Sequence, residues 1–435
     1  MCIRDRAEKD PPAVCMAPSI EICQISIEGA IQTAGGSFSA RSIGGESLST
    51  GIRLSAPLST GGGTIVLGAS ETTLEPVSPG DAAQTGGGRV QIDAGGEIKS
   101  GGAPVAIGTP DFDLGLLSAR EVIIAGEIDS RVYTEDPIPV VDSEIRGGAV
   151  LIESTGENAR VLIGLENAGP TRIVTNGGPI ETFGTGTLNM TDTTLDVSTV
   201  APLDDGSDAA SFIYAQHSES IKIASSTLVA DESISLISGL GGVGDLVLSQ
   251  TSSSGSVSEL SARQLVLIAG DGNSESSFSG ARVDLGATNI NFSSTVDPEL
   301  LTSFALQQDA DLSTSSVLPN LTPQLTALDQ IALRSAEGTL DLSEPDLLEI
   351  EGLALTLAGD QGLTISSPIS PDRPTSGAAL NSLAITIGDA FIVTPTIADF
   401  VTGTAKNLTI TAANSSDPDA PSLLIQGRTL SLIHI

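Results

Sequence analysis

A short beat of apolar, polar and apolar positions, broken by turn residues, dominates the chain. Ile52-Arg53-Leu54, Val90-Gln91-Ile92 and Leu195-Asp196-Val197 carry it, and Ile221-Lys222-Ile223, Val283-Asp284-Leu285, Leu340-Asp341-Leu342 and Leu408-Thr409-Ile410 repeat it. A period of two sends alternate side chains to opposite faces, so one face is buried and the other wet. The runs are short, and Gly, Ser, Asn or Asp ends each of them. The pattern predicts many brief strands, with Val90, Ile92, Val122, Ile124, Val283 and Leu285 pointing inward.

Several strands share a lead-in. A glycine pair precedes Thr64-Ile65-Val66-Leu67, Arg89-Val90-Gln91-Ile92 and Ala149-Val150-Leu151-Ile152. Glycine supplies a corner that other residues resist. Leu117-Ser118-Ala119-Arg120 returns as Leu260-Ser261-Ala262-Arg263, with a weaker copy at Phe38-Ser39-Ala40-Arg41. Irregularly spaced short strands with glycine corners describe a β-solenoid, in which each coil buries its inward face only by stacking on the next. A β-sandwich array would show longer strands and more aromatic core residues. The expected fold is all-β, a parallel β-helix with one short helical or irregular insertion.

The insertion is placed by composition. Only 8 of the 48 glycines lie in residues 296–435. At that boundary Asp297 can cap a helix whose first residue is Pro298, and apolar residues recur at Leu300, Leu301 and Phe304. A short helix or irregular segment is expected at 298–309, with a proline-marked loop at Pro319–Pro323. The solenoid is thus divided into 7–295 and 331–430 around an insertion at 296–330. Residues 1–6 and 431–435 read as translated adapter sequence foreign to the protein.

Composition sharpens the picture. Trp is absent, with two Tyr and nine Phe in 435 residues, so Val, Ile, Leu and Ala must build the core. The formal net charge is −35. Such a surface repels nucleic-acid phosphates and anionic headgroups and attracts divalent cations. No apolar stretch reaches the ~18 residues of a membrane helix, so no transmembrane segment is expected. Cys15 and Cys23 are eight positions apart, either a local disulfide or two thiols.

Candidate chemistry is sparse. Asp271, Asn273 and Glu275 place oxygen ligands at alternate positions, as a Ca²⁺ loop needs, but Ser276 and Arg282 stand where an EF-hand requires Gly and Glu. Gly241-Gly242-Val243-Gly244-Asp245 is one residue short of a calcium-roll nonapeptide and has no tandem copy, so it reads as a corner. Carboxylates cluster at Glu135-Asp136, at Asp204, Asp205 and Asp208, and at Asp417 and Asp419, where paired acids would serve glycoside hydrolysis. The aromatic platform that stacks sugar rings is missing from the sequence. His217 has no nucleophile elbow of the G-x-S-x-G type to serve, and it reads as a surface residue. No catalytic residue is assigned, and no cofactor is expected beyond Ca²⁺ at Asp271, Asn273 and Glu275.

The alternating strands, the glycine lead-ins before Ile65, Val90 and Val150, and the acidic Ser/Thr-rich surface resemble the large exoproteins of the filamentous haemagglutinin type. The resemblance covers most of residues 25–295, and 331–430 in part. It implies a right-handed parallel β-helix, export through an outer-membrane partner outside this chain, and an extracellular or bacterial cell-surface location. It also implies cell-surface glycans or proteins as partners. Classical autotransporter passengers share the same texture. The expected function is a structural or adhesive shaft without catalysis. The alternatives are a carbohydrate-active β-helix enzyme and a Ca²⁺-stiffened matrix or surface-layer protein.

Overall fold

In the computed structural model the described residues are 14–15, 24–43, 51–70, 88–109, 118–135, 138–139, 147–166, 168–199, 211–239, 244–251, 256–270, 280–286, 288–292, 302–313, 330–336, 339–342, 354–359, 362–365, 382–387, 391–393, 408–412 and 424–425. They form a parallel β-helix, with no helix among them. Nine successive coils each give one strand to each of three parallel sheets. Sheet I has 14 strands, sheets II and III have nine each, and a five-stranded sheet IV serves the C-terminal part.

One coil shows the plan. Phe212–His217 lies in sheet I, Ile221–Ala224 in sheet II and Thr227–Val229 in sheet III, and Ser233–Ser238 returns to sheet I. Phe212 pairs with Ser233, so this coil advances 21 residues. Val105 pairs with Val150, a coil of 45. The register holds while coil length doubles, because the extra residues enter at corners and leave the strands alone.

The core explains this constancy. Sheet III contributes one inward aliphatic side chain per coil, in a column that includes Leu58, Ile98, Ile128, Ile173, Leu195 and Leu228. Sheet II contributes two, among them Val90 and Ile92 over Ile52 and Leu54, then Val122 and Ile124. All six residues expected to face inward are buried. Stacking like on like at ~4.8 Å fills the interior with aliphatic side chains and needs no large ring.

At the corner leading from sheet III to sheet I, the first residue is Thr33, Thr60, Ser100, Ser130 and Thr175 in five consecutive coils. Their backbones form a continuous hydrogen-bonded ladder. Each hydroxyl donates to the carbonyl of the residue that ends the corner, Gly36, Gly63, Ala103, Gly148 and Gly178 in turn. The glycines are forced by close approach. A Cβ on Gly63 would run into the backbone of Gly36, and one on Gly148 into Ala103. Gly62-Gly63 and Gly147-Gly148 therefore do the same job. Gly88 instead precedes a sheet II strand, Arg89–Ile92, so the third glycine lead-in belongs to another corner. The Ser-Ala-Arg echo is likewise no structural repeat, since Arg120 precedes sheet II and Arg263 precedes sheet I.

Two expectations need correction here. The helix expected at 298–309 is a sheet I strand, Ser303–Gln308, paired residue for residue with Gln264–Ala269. Phe304 and Leu306 face inward and Ala305 outward, a period of two that the capping signal at Asp297-Pro298 obscured. The segment 296–330 accordingly contains solenoid, including a sheet IV strand at Leu312–Ser313. The loop at Pro319–Pro323 and both terminal segments lie outside the described residues.

After Gln308 the architecture changes. The Ala310 amide bonds to the Ala281 carbonyl, so the chain first follows the path of sheet II. Leu312 then begins sheet IV, and among the described residues the coils alternate between sheets I and IV. Among the described residues sheet III has no strand beyond Thr288–Asn291.

Candidate functional surface

The outer face of sheet I is the broadest surface that the fold builds. Its strands from Phe212–His217 through Ser303–Gln308 alternate half-exposed and buried residues, with the half-exposed ones facing out. The middle outward column runs Tyr214, Ser235, Val266, Ala305 and Ala332. Beside it runs Gln216, Ile237, Ile268, Gln307 and Arg334. Arg334 is the single charged residue in these two columns. The other faces differ. Sheet II shows Arg53, Arg89, Glu121, Arg160, Lys222 and Asp284 outward, and sheet III shows Glu97, Glu127, Arg172 and Glu259.

One coil earlier the same face carries Glu181 and Phe183. The Phe183 and Tyr214 rings meet with centroids 5.5 Å apart, tilted by 41°. The Tyr214 hydroxyl donates to Gln216 Oε1 at 2.5 Å. Burial pushes the Glu181 carboxyl above its usual range, and burial with the nearby Glu181 charge raises the Tyr214 phenol. The chain does assemble one aromatic pair beside an acid, which the low aromatic count hid. The phase of Tyr214, between inward Ile213 and Ala215, was the signal that could have found it. In earlier coils this face is covered: Val66, Ala106 and Leu151 occupy outward positions yet are buried.

His217 corrects another expectation. It is fully buried, at the third inward position of its strand after Ile213 and Ala215. The imidazole occupies the space left by Gly184 in the preceding coil, where an added Cβ would meet Nδ1 at 2.5 Å. Nε2 lies 3.4 Å from Thr182 Oγ1. Burial, only partly opposed by the Gly186 backbone, lowers its pKa to about 3. The ring is a neutral core residue.

No family model, curated protein or solved structure matches the chain. The surface must therefore be read from its own residues.

The expected Ca²⁺ ligands Asp271, Asn273 and Glu275 lie outside the described residues, between Gly270 and Gly280 in the sequence. Asp136, Asp204, Asp205, Asp208, Asp417, Asp419 and Cys23 also lie outside them. Glu135 ends one strand of an antiparallel hairpin, Tyr133–Glu135 with Ile138–Pro139. Cys15 sits in sheet I opposite Ser42. The Asp245 carboxylate accepts the Arg282 amide at 2.9 Å, and Gly244 packs against the Glu219 backbone, so the end of that glycine motif is a corner contact. Among the described residues no three His, Cys, Asp or Glu side chains group as metal ligands, and no helix is long and apolar enough to cross a membrane.

Two charged clusters missed by sequence reasoning are structural. Arg89, Glu121 and Arg160 stack in register, and the buried Glu121 carboxylate pairs with both guanidinium groups. The hairpin is tied at its base by Asp129, which accepts Arg131 Nη2 at 2.6 Å and the Tyr133 hydroxyl. Burial opposes ionisation of Asp129, but these bonds prevail and hold its carboxyl below the usual range. Both clusters join residues far apart in the pattern or local to an irregular corner, where alternation says nothing.

Proposed function

We propose that the chain is a structural and adhesive shaft of a secreted or surface-exposed bacterial exoprotein of the filamentous haemagglutinin type, acting without catalysis. The observation that carries this reading is the uninterrupted inward column of Leu and Ile at one residue per coil, which builds length with an unchanging cross-section over nine coils. Fourteen sheet I strands at ~4.8 Å give a rod of roughly 60–65 Å. Coils of 21 to 45 residues carry extra chain between strands, among it the hairpin Tyr133–Glu135 with Ile138–Pro139, and such segments would supply contacts to cell-surface glycans or proteins. Ca²⁺ at Asp271, Asn273 and Glu275 would stiffen one such corner.

The rival reading is a carbohydrate-active enzyme, favoured by the grouping of Glu181, Phe183 and Tyr214. Incubation with neutral and acidic polysaccharides, with and without Ca²⁺, separates the two. Saturable binding to glycans or cells without product release is the expected result. Release of reducing ends that is abolished in Glu181→Gln would overturn the shaft reading.

A further inference from the structure

We infer that the outer face of sheet I, from the strand Phe212–His217 onward, is the contact surface for a second copy of this chain. This inference does not rest on the adhesive reading, since it concerns the rod's own assembly.

Charge points to the face. With a net charge of −35, two copies repel each other over most of their surfaces. Sheets II and III show ionised side chains at nearly every coil, as described above. On sheet I, the outward positions of Ser233–Ser238, Gln264–Ala269 and Ser303–Gln308 hold only Ser, Gln, Ile, Val and Ala. On this face of the described residues, like-charged rods can approach without bringing acids together.

Shape and area agree. Five strands, from Phe212–His217 to Gln330–Ser335, span about 24 Å at ~4.8 Å per strand, and six residues at ~3.3 Å give about 20 Å of width. The resulting patch of roughly 480 Å² is smaller than the ~800 Å² that each partner buries in a standard interface, which suits a reversible dimer. Its relief is graded: larger Ile237, Val266 and Ile268 lie on two adjacent strands, and smaller Ala305 and Ala332 follow on the next two, a step that a two-fold partner can match in sheet-on-sheet packing at ~10 Å. A glycan occupant is less well served. The aromatic pair sits at one end of the face, and the Tyr214 hydroxyl is committed to Gln216.

A two-fold contact of this kind sets each substitution against the other copy's face twice. Analytical ultracentrifugation of the full chain over a range of concentrations, at low and high NaCl, tests it. The expected result is a reversible dimer that strengthens with salt, as screening relieves the repulsion of the remaining surface. Ala305→Glu should weaken dimerisation at least about tenfold. Asn289→Glu, on the outer face of sheet III, should leave it unchanged, with circular dichroism confirming that both variants fold. A chain that stays monomeric at all concentrations and salts overturns the inference, as does a dimer indifferent to Ala305→Glu or disrupted by Asn289→Glu. Retention of a monomeric chain on immobilised dextran, lost in Ala305→Glu, would reassign the face to a neutral glycan.

Discussion

Among the described residues, the coils before Gln308 have three sides and those after it have two, yet length does not distinguish them. The coil from Phe212 to Ser233 closes three strands in 21 residues. The coil from Gln330 to Ala354 takes 24 and makes two. What differs is the supply of corners. The three-sided coil turns from strand to strand through Ser218-Glu219-Ser220, Ser225-Ser226 and Ala230-Asp231-Glu232, with Leu228 as the anchor of the third side. Between Leu342 and Ala354 the sequence runs Ser-Glu-Pro-Asp-Leu-Leu-Glu-Ile-Glu-Gly-Leu, which has aliphatic residues but only one serine and one glycine for corners. A third side needs small residues at both of its ends and an aliphatic residue between them. Extra chain length alone does not create it.

The sharpest way to break this comparison is to charge the core of each region. Val90→Asp, in a three-sided coil, buries an unpaired carboxylate and should cost several kcal/mol. Chemical denaturation should show the loss, and hydrogen exchange should confine it to neighbouring coils, because stacked repeats lean mainly on nearest neighbours. Leu333→Asp should spare protection around Val90. Uniform loss of protection in both variants would mean that the two regions unfold as one unit.

His217 gives a pH handle on the three-sided region. Its folded pKa, about 3, lies below the ordinary 6.5, so the unfolded chain takes up a proton that the folded chain refuses. Stability should fall as pH drops from 6.5 towards 3 and level off below, by roughly 5 kcal/mol at ~1.4 kcal/mol per unit. Denaturation midpoints of the wild type and His217→Gln across that window isolate the effect from the carboxylates. Parallel curves would contradict it.

Gly148→Ala tests the corner. The added methyl meets the Ala103 backbone, and overpacking there should cost about 1–3 kcal/mol. An unchanged melting temperature would show that the corner relaxes freely. The smallest effect is expected from Thr60→Val, which keeps shape and removes the hydroxyl bonded to the Gly63 carbonyl. A loss of about 1 kcal/mol is expected in the same assay.

Much of the fold was legible in the sequence because alternation is local. Val90-Gln91-Ile92 declares an inward and an outward face without reference to anything distant. Alternation also held the answers missed at His217 and at Ser303–Gln308, where residue type was weighed above phase. A histidine was read as polar, and an Asp-Pro pair as a cap. The outer face of sheet I was illegible for another reason. Its columns join Tyr214, Ser235, Val266 and Ala305 across coils of unequal length, so no fixed period in the sequence reveals them. The Arg89–Glu121–Arg160 stack is hidden in the same way.

The tolerance of coil length has an evolutionary consequence. Since 21-residue and 45-residue coils stack in the same register, lengthening a corner costs little beyond loop closure, about 0.6 kcal/mol per doubling. Each corner is then an independent site for gain, loss or exchange of segments, with the columns of Ile, Leu and Val unaffected. Natural variation in such a chain should collect as insertions and deletions between strands, leaving strand spacing along the rod nearly invariant. The same property makes the corners between sheets I and II suitable places to graft foreign peptides at a rise of ~4.8 Å per coil.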